Sequence, residues 1–380
     1  VATVAGMAHR RSHGGWLVLG TVLVSTPVWL HGSWAFSPSP FKVIAMEGKG
    51  FGVVAEQPFS PGDQIYQEPP ALVVETEDAM QTQLVQTVAA VIFLVVNLLL
   101  GISGAGVVVP FILGAAGLYY WLRSRSDDLS IPDELKEQWE ALPEKKREAL
   151  AGLSDCSPGK KTLSGIIETN GFSRGASATA SSLLVCPTLA RLNHSCSPNC
   201  QQSWDERSGT ERLYAMSDIA VGEELCITYC DIRKPRAARQ EELRLKYGFV
   251  CGCPACSVPD PSQSDEQRVA IARLEEELVR DGPADPAAGL RKAEELLATI
   301  DAEGLSDKML RGLACYEAME LSLRLGDESA VQQWGKKANL FISQARGSDN
   351  SLAQKAKACV ESPKQHPLWA RDQPSPLTEG

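Results

Sequence analysis

Two short stretches of this chain concentrate side chains able to do chemistry: RLNHSCSPNC, from Arg191 to Cys200, and YGFVCGCPAC, from Tyr247 to Cys256. The CxCxxC spacing of Cys251, Cys253 and Cys256 lets neighbouring backbone turns aim three thiolates at one tetrahedral ion, and it leaves one position open. Cys196 is the candidate fourth ligand, with Cys200 of the same loop as its alternative, so a zinc ion would tie the two stretches together. A third stretch, GKGFG from Gly48 to Gly52, offers a turn where backbone can approach a ligand or another strand closely. No helix is expected after it and no Lys-Ser/Thr pair closes it, which argues against a nucleotide-phosphate loop. Taken singly, His194 reads as a hydrogen-bonded loop histidine, and Tyr229 and Tyr247 as strand or core aromatics.

The length of 380 residues gives room for two or three domains with sizeable cores. A net charge of −10 and a pI near 5.2 exclude the broad basic footprint of a nucleic-acid binder. The cysteine count, eleven, is odd, and the tight CxCxxC group favours metal over disulfides. Cys156, Cys186, Cys226, Cys230, Cys315 and Cys359 lack such spacing and read as small buried hydrophobes.

The elements that must position these stretches follow from the chain in order. Residues 41–75 alternate apolar and polar side chains, break at Ser60-Pro61-Gly62-Asp63, and predict two or three short strands. From 130 to 153 the pattern is charged and helical, with Pro132 at a helix start and Leu135, Trp139 and Leu142 on one face. SGIIETNGFSRG predicts a helix or strand carrying Ile166, Ile167, Asn170 and Phe172, and the small-residue run to Ser182 reads as a loop. Two strands flank the turn at Val221-Gly222-Glu223. After a linker at 259–267, residues 268–361 place apolar side chains at three and four spacings, such as Ile271, Leu274 and Leu278. That pattern predicts helices pairing as antiparallel hairpins without a clean repeat signature, followed by a Pro-rich, disordered end.

Two further segments bear on location. His9, Arg10 and Arg11 precede an apolar run from Trp16 to Leu30, and Ser33 and Ala35 take the −3 and −1 positions of a cleavage before Phe36. That is the layout of a secretory signal, with an Ala-Phe junction like a plastid entry signal; an anchor helix or a misassigned start are the alternatives. Between Leu84 and Leu122 there is no charged residue. The run suffices for one spanning helix, or for a membrane hairpin turning at GISGAG, with Arg123 and Arg125 at a cytosolic edge. A buried core hairpin and a gene-model error are the other readings. A single pass would put 41–75 and 161–256 on opposite sides of a bilayer, so it excludes a domain built from both. The compartment stays open between membrane-associated, plastid or secretory, and cytoplasmic or nuclear.

The four ordered motifs GKGFG, NHSCSPN, ELCITYCD and YGFVCGCPAC resemble the split SET domain of protein lysine methyltransferases. The chain looks most like the SET and MYND type, in which the NHSC cysteine shares zinc with a post-SET CxCxxC group and a helical C-terminal region follows. The resemblance covers 41–75 and 161–256, and extends loosely over 265–361. One departure is large: residues 76–160, where the MYND zinc finger should lie, contain only Cys156. The finger is missing, and its partner-binding and DNA-binding roles are not carried over. The implied architecture is an α+β SET fold, with small β-sheets around a knot-like core, split by an insertion, a post-SET zinc site and an all-α helical-hairpin C-terminal region. The implied order is a targeting or anchor segment at 1–40, the first SET part at 41–75, the insertion at 76–160 with its apolar run 84–122, the SET core and zinc site at 161–256, and the helical region with its tail at 257–380.

By the same resemblance the activity is methyl transfer from S-adenosylmethionine to a lysine amine of a protein substrate, histone or other, with no direct nucleic-acid binding. Such an in-line displacement asks the protein for alignment, a narrow channel and stabilisation of charge. The resemblance assigns cofactor binding to Gly48, Lys49, Gly50, Phe51, Asn170, Asn193 and His194, with Phe249 packed on the adenine. It assigns the lysine channel to Tyr229 and Tyr247, and a structural Zn2+ to Cys196, Cys251, Cys253 and Cys256. A rival of another class is a catalytically silent SET and zinc scaffold that binds proteins, and a third is a membrane protein whose SET halves are relics. Retention of both tyrosines and of the Asn-His pair favours the enzyme.

Overall fold

The computed structural model describes residues 39–75, 133–174 and 182–372. The signal-like start and the apolar run 84–122 lie outside the described residues. No helix among the described residues is long and apolar enough to cross a membrane.

The first part yields four strands rather than two or three: β1 (Phe41–Met46), β2 (Gly50–Ala55), β3 (Gln64–Glu68) and β4 (Leu72–Glu75). β1 and β2 form an antiparallel hairpin whose turn holds Gly48 at φ 71° and Gly50 at φ 75°, a left-handed region that glycine enters without steric penalty. The remaining strands join the two halves of the sequence. β3 pairs with β9 (Thr210–Ala215), which pairs with β8 (Cys200–Asp205). β4 pairs with β6 (Ser182–Val185), which pairs with β5 (Phe172–Ser173). β7 (Asn193–His194) and β10 (Cys226–Ile227) run parallel as a two-residue pair. Partners drawn from 41–75 and from 182–227 thus share sheets, which excludes halves held apart as relics.

Helices close the ends of these sheets. α1 (Asp133–Ala141) returns the chain to β4, where the Gln138 amide donates to the Val73 carbonyl and accepts from the Val73 N–H, both at 3.0 Å. α2 (Glu144–Ala151) follows. SGIIETN resolves as a helix, α3 (Leu163–Asn170), whose Thr162 hydroxyl caps the start by accepting from the Gly165 N–H. Leu72, Leu135, Leu150, Ile166 and Val185 pack as one cluster beneath them, while Phe41, Val53, Leu192, Leu213 and Ile227 belong to the central core.

α4 (Arg236–Tyr247) ends at Gly248 in a left-handed cap, φ 72°, that turns Phe249 and the cysteines back toward the core. Five helices fulfil the C-terminal pattern: α5 (Ser262–Asp281), α6 (Pro286–Glu303), α7 (Lys308–Leu325), α8 (Glu328–Arg346) and α9 (Ser351–Glu361). The last four start behind Asp285, Asp307, Asp327 and Asn350, each with a side chain accepting a first-turn N–H. Order continues past α9, since the Ala370 N–H donates to the Leu323 carbonyl at 2.8 Å. The C-terminal end expected to be disordered lies, beyond residue 372, outside the described residues.

Candidate active site and thiol cluster

The sulfurs of Cys196, Cys251, Cys253 and Cys256 all lie within 4.8 Å of one another, and none of the cysteines is in a disulfide. Cys200, the alternative ligand, sits instead in the central core with Leu213 and Ala215. The cluster has its own donors: the Cys196 N–H lies 3.4 Å from Cys253 Sγ, and the Cys253 N–H lies 3.5 Å from Cys251 Sγ. Arg239 of α4 is fully buried, with Nη2 4.0 Å from Cys256 Sγ and Nη1 on the Lys234 carbonyl. Four thiolates around a dication leave two negative charges, which amide N–H groups and a buried guanidinium offset. This donor set fits a closed tetrahedral zinc site.

His194 links that cluster to the neighbouring tyrosine. The ring is buried, and the Tyr229 N–H donates to its Nδ1 at 2.9 Å. An accepting Nδ1 assigns the neutral imidazole's proton to Nε2, which lies 3.2 Å from Cys196 Sγ. Both ring nitrogens are therefore engaged by protein, and the ring acts as a brace between strand and thiolate. Cys230 forms a second close group with His194 and Cys196, a position its isolated place in the sequence did not signal. Cys156 departs further from the buried-thiol expectation: it is exposed, and its Sγ donates to the Tyr247 carbonyl at 3.3 Å. Cys226 is half-buried, whereas Cys186, Cys315 and Cys359 are buried as expected.

Beside the cluster opens a cleft of about 740 Å³. The turn Gly48, Lys49, Gly50 and Phe51 forms one side of it, and Asn170, Asn193 and His194 form the back. Tyr229, Tyr247 and Phe249 line it as well, so every cofactor and lysine-channel residue singled out in the sequence reaches one cavity. Asn170 spends both its amide N–H groups on the carbonyls of Ser154 and Ile166, each at 2.7 Å, and so stiffens the wall. Glu68 of β3 accepts from the N–H groups of Thr188 and Leu189 and thereby starts the short 3-10 turn Leu189–Arg191 that delivers Asn193.

Sequence reasoning missed Glu224. Its Oε2 accepts from Lys49 Nζ at 2.7 Å and its Oε1 from Asn193 Nδ2 at 2.8 Å, while the same Asn193 nitrogen also donates to the Phe51 carbonyl. The hydrogen bond to Glu224 holds the Lys49 ammonium above its ordinary pKa. A cation and an anion side by side complement an amino-acid zwitterion. It opens the ELCITYCD motif, but nothing in that motif pointed to the glycine turn, to which the bridge between Val54 and Glu224 and the neighbouring backbone hydrogen bonds carry it. Arg191 was missed too, and its guanidinium stands 5.1 Å from the Phe51 ring centroid at the cleft edge.

Gly52 keeps these parts in contact. A Cβ there would meet Met46 Sδ at 2.3 Å and Asn193 Nδ2 at 2.8 Å. Gly52→Ala is therefore expected to destabilise the protein by about 1–3 kcal/mol in urea unfolding. An unchanged midpoint would mean that the hairpin has slack it does not display.

The Tyr229 and Tyr247 rings lie 4.9 Å apart, centroid to centroid, and the Tyr229 hydroxyl donates to the Leu192 carbonyl. Burial pushes both phenols up, so both are neutral at ordinary pH. The same two tyrosines also line a second cavity of about 430 Å³.

A family model described as SET domain matches residues 50–230. Histone-lysine N-methyltransferase set5 of Schizosaccharomyces pombe is 31% identical over 182 residues, covering 47% of this chain and 57% of that protein. Protein-lysine N-trimethyltransferase SMYD5 of Homo sapiens is 40% identical over 80 residues, 20% of this chain and 19% of that protein. The chain thus spans little more than half of the first relative and about a fifth of the second. A solved structure of Rubisco LSMT bound to AdoMet covers 86% of this chain and 88% of its own at 16% identity, with a TM-score of 0.27, too low to argue from. Residues 50–230 of this chain thus match the SET domain, and the chain is similar over part of its length to the lysine methyltransferases set5 and SMYD5.

Proposed function

We propose that this protein is an S-adenosylmethionine-dependent protein-lysine N-methyltransferase with a structural zinc held by Cys196, Cys251, Cys253 and Cys256. The observation that carries the proposal is a pair of cavities whose linings share Thr169, Asn170, Ala190 and the neutral phenols Tyr229 and Tyr247. In this reading the shared wall is where a cofactor in one cavity and a lysine in the other would meet. When bound, the cofactor supplies an activated methyl group.

The residues of the chain do the rest. Lys49 and Glu224, paired with each other at 2.7 Å, would hold the cofactor's carboxylate and ammonium. Phe249 packs against the adenine, and Asn193 fixes the hairpin turn over it. The two phenol oxygens orient the lysine amine, and the low dielectric of the channel favours its neutral, nucleophilic form. A lysine amine held there would be aligned for in-line displacement at the methyl group that the bound cofactor would supply. Cys196, Cys251, Cys253 and Cys256 would hold the zinc as a closed, structural site. Residues 39–75 and 161–256 form the methyltransferase body in this reading, and 257–372 its helical backing.

Calorimetry with S-adenosylmethionine and zinc-loaded protein should give saturable heat at about one site per chain; absence of heat would sink the enzyme in favour of a silent scaffold. Tyr247→Phe should slow transfer of labelled methyl to lysine peptides, or change the number of methyls added. The loss of one preorganised hydroxyl predicts about a 10²-fold effect on rate. Cofactor affinity should stay within about twofold, because the Tyr247 ring remains to line the cleft.

A further inference from the structure

The second cavity holds charges that the methyl-transfer scheme leaves unused. Glu211 of β9 lines it at 2% exposure, and its Oε2 has no hydrogen-bond partner. Arg346, the last residue of α8, lines it as well and leaves its Nε unpartnered. Asp307 forms part of the same wall, accepting from the Leu310 N–H as the cap of α7. A buried carboxyl oxygen without a donor is costly, and burial pushes Glu211 up to about 8 while Arg346 pulls it the other way. A group held at that cost, facing an open cavity that also reaches Tyr229 and Tyr247, has the placement of a recognition element.

We propose that this cavity, between the SET sheet and the C-terminal helices, is a specificity subsite that takes a cationic side chain flanking the target lysine of a protein substrate. The proposal rests on the methyltransferase reading for the meaning of the tyrosine wall. Glu211 receives the N–H donors of an arginine or lysine, whose positive charge favours the ionised carboxylate that burial alone disfavours. Arg346 donates its free Nε–H to a peptide carbonyl of the same segment. A neutral or acidic flanking residue leaves Glu211 without a donor, and an acidic one also brings two carboxylates together. The C-terminal helices thus contribute directly to substrate choice.

The test uses the full chain and a panel of lysine-centred peptides in which each flanking position in turn is arginine or its neutral isostere citrulline. Methylation from labelled S-adenosylmethionine and anisotropy binding in the presence of S-adenosylhomocysteine are both read. One fixed position should prefer arginine about 10- to 100-fold, the range of a charge-assisted hydrogen bond. Glu211→Gln should abolish that preference with unchanged cofactor affinity, and Arg346→Met should weaken all peptides alike. Equal use of arginine and citrulline by the unaltered protein overturns the subsite, as does a preference that survives in Glu211→Gln. Peptides that bind with the preference but are never methylated overturn the enzyme and leave the subsite standing. Methylation without preference does the reverse, and no binding by any peptide removes both.

Discussion

Cys196→Ser should lose most of its bound metal and, with it, at least about tenfold in affinity for S-adenosylmethionine. The first loss follows from the ligand set, because one of four converging sulfurs disappears and structural zinc contributes about 10–16 kcal/mol of apparent binding energy in small domains. The second follows from the brace. Cys196 Sγ holds His194 Nε2, His194 Nδ1 holds the Tyr229 N–H, and Asn193 next door holds Glu224 and the Phe51 carbonyl. Loosening one atom therefore loosens both sides of the cleft, and supporting contacts around metal ligands are commonly worth 10- to 100-fold. Elemental analysis and calorimetry on the same preparation check the two halves separately. Full retention of zinc would pass the fourth position to another thiol, and Cys230, grouped with His194 and Cys196, stands nearest in kind.

Arg268→Met should destabilise the protein by about 3–5 kcal/mol in urea unfolding, the cost of leaving a buried ion without its partner. Arg268 is 1% exposed, with Nε 2.7 Å from Glu303 Oε1, itself on a side chain only 6% exposed. Its Nη1 also donates to the carbonyls of Cys196 and Ile232. One side chain of α5 thus ties α6 to the zinc loop. Adding Glu303→Leu should recover much of the stability, since an apolar pair of similar volume often matches a buried ion pair. It should not recover the tie to Cys196, so zinc should still leave faster on chelator challenge than from the unaltered protein. Additivity of the two substitutions would show that the residues do not work as a pair.

What could be read from the sequence was local. Cys251, Cys253 and Cys256 declare a metal because the spacing alone aims them together, and Asp285, Asp307, Asp327 and Asn350 mark helix starts within one turn of the groups they cap. Glu224 could not be read that way. Its role depends on Lys49 and Asn193, 175 and 31 residues away, brought together by a strand pairing with no local signature. Cys230 and Arg268 were hidden for the same reason. His194 was legible as important, but its motif did not say that the ring serves metal and strand while both nitrogens are occupied. The undercount of strands before residue 75 is of another kind: LVVE is too short to separate from a loop until Ser182–Val185 pairs with it.

The clasp between Gln138 and Val73 has a consequence in polymer terms. It joins the chain on either side of roughly sixty residues, and closing even a fully flexible loop of that length costs only about 2 kcal/mol more than closing one of six. Two hydrogen bonds at about 1 kcal/mol each, with Leu72 and Leu135 buried alongside, are enough to offset that difference. Loop entropy therefore does not outweigh the clasp that joins β4 to α1.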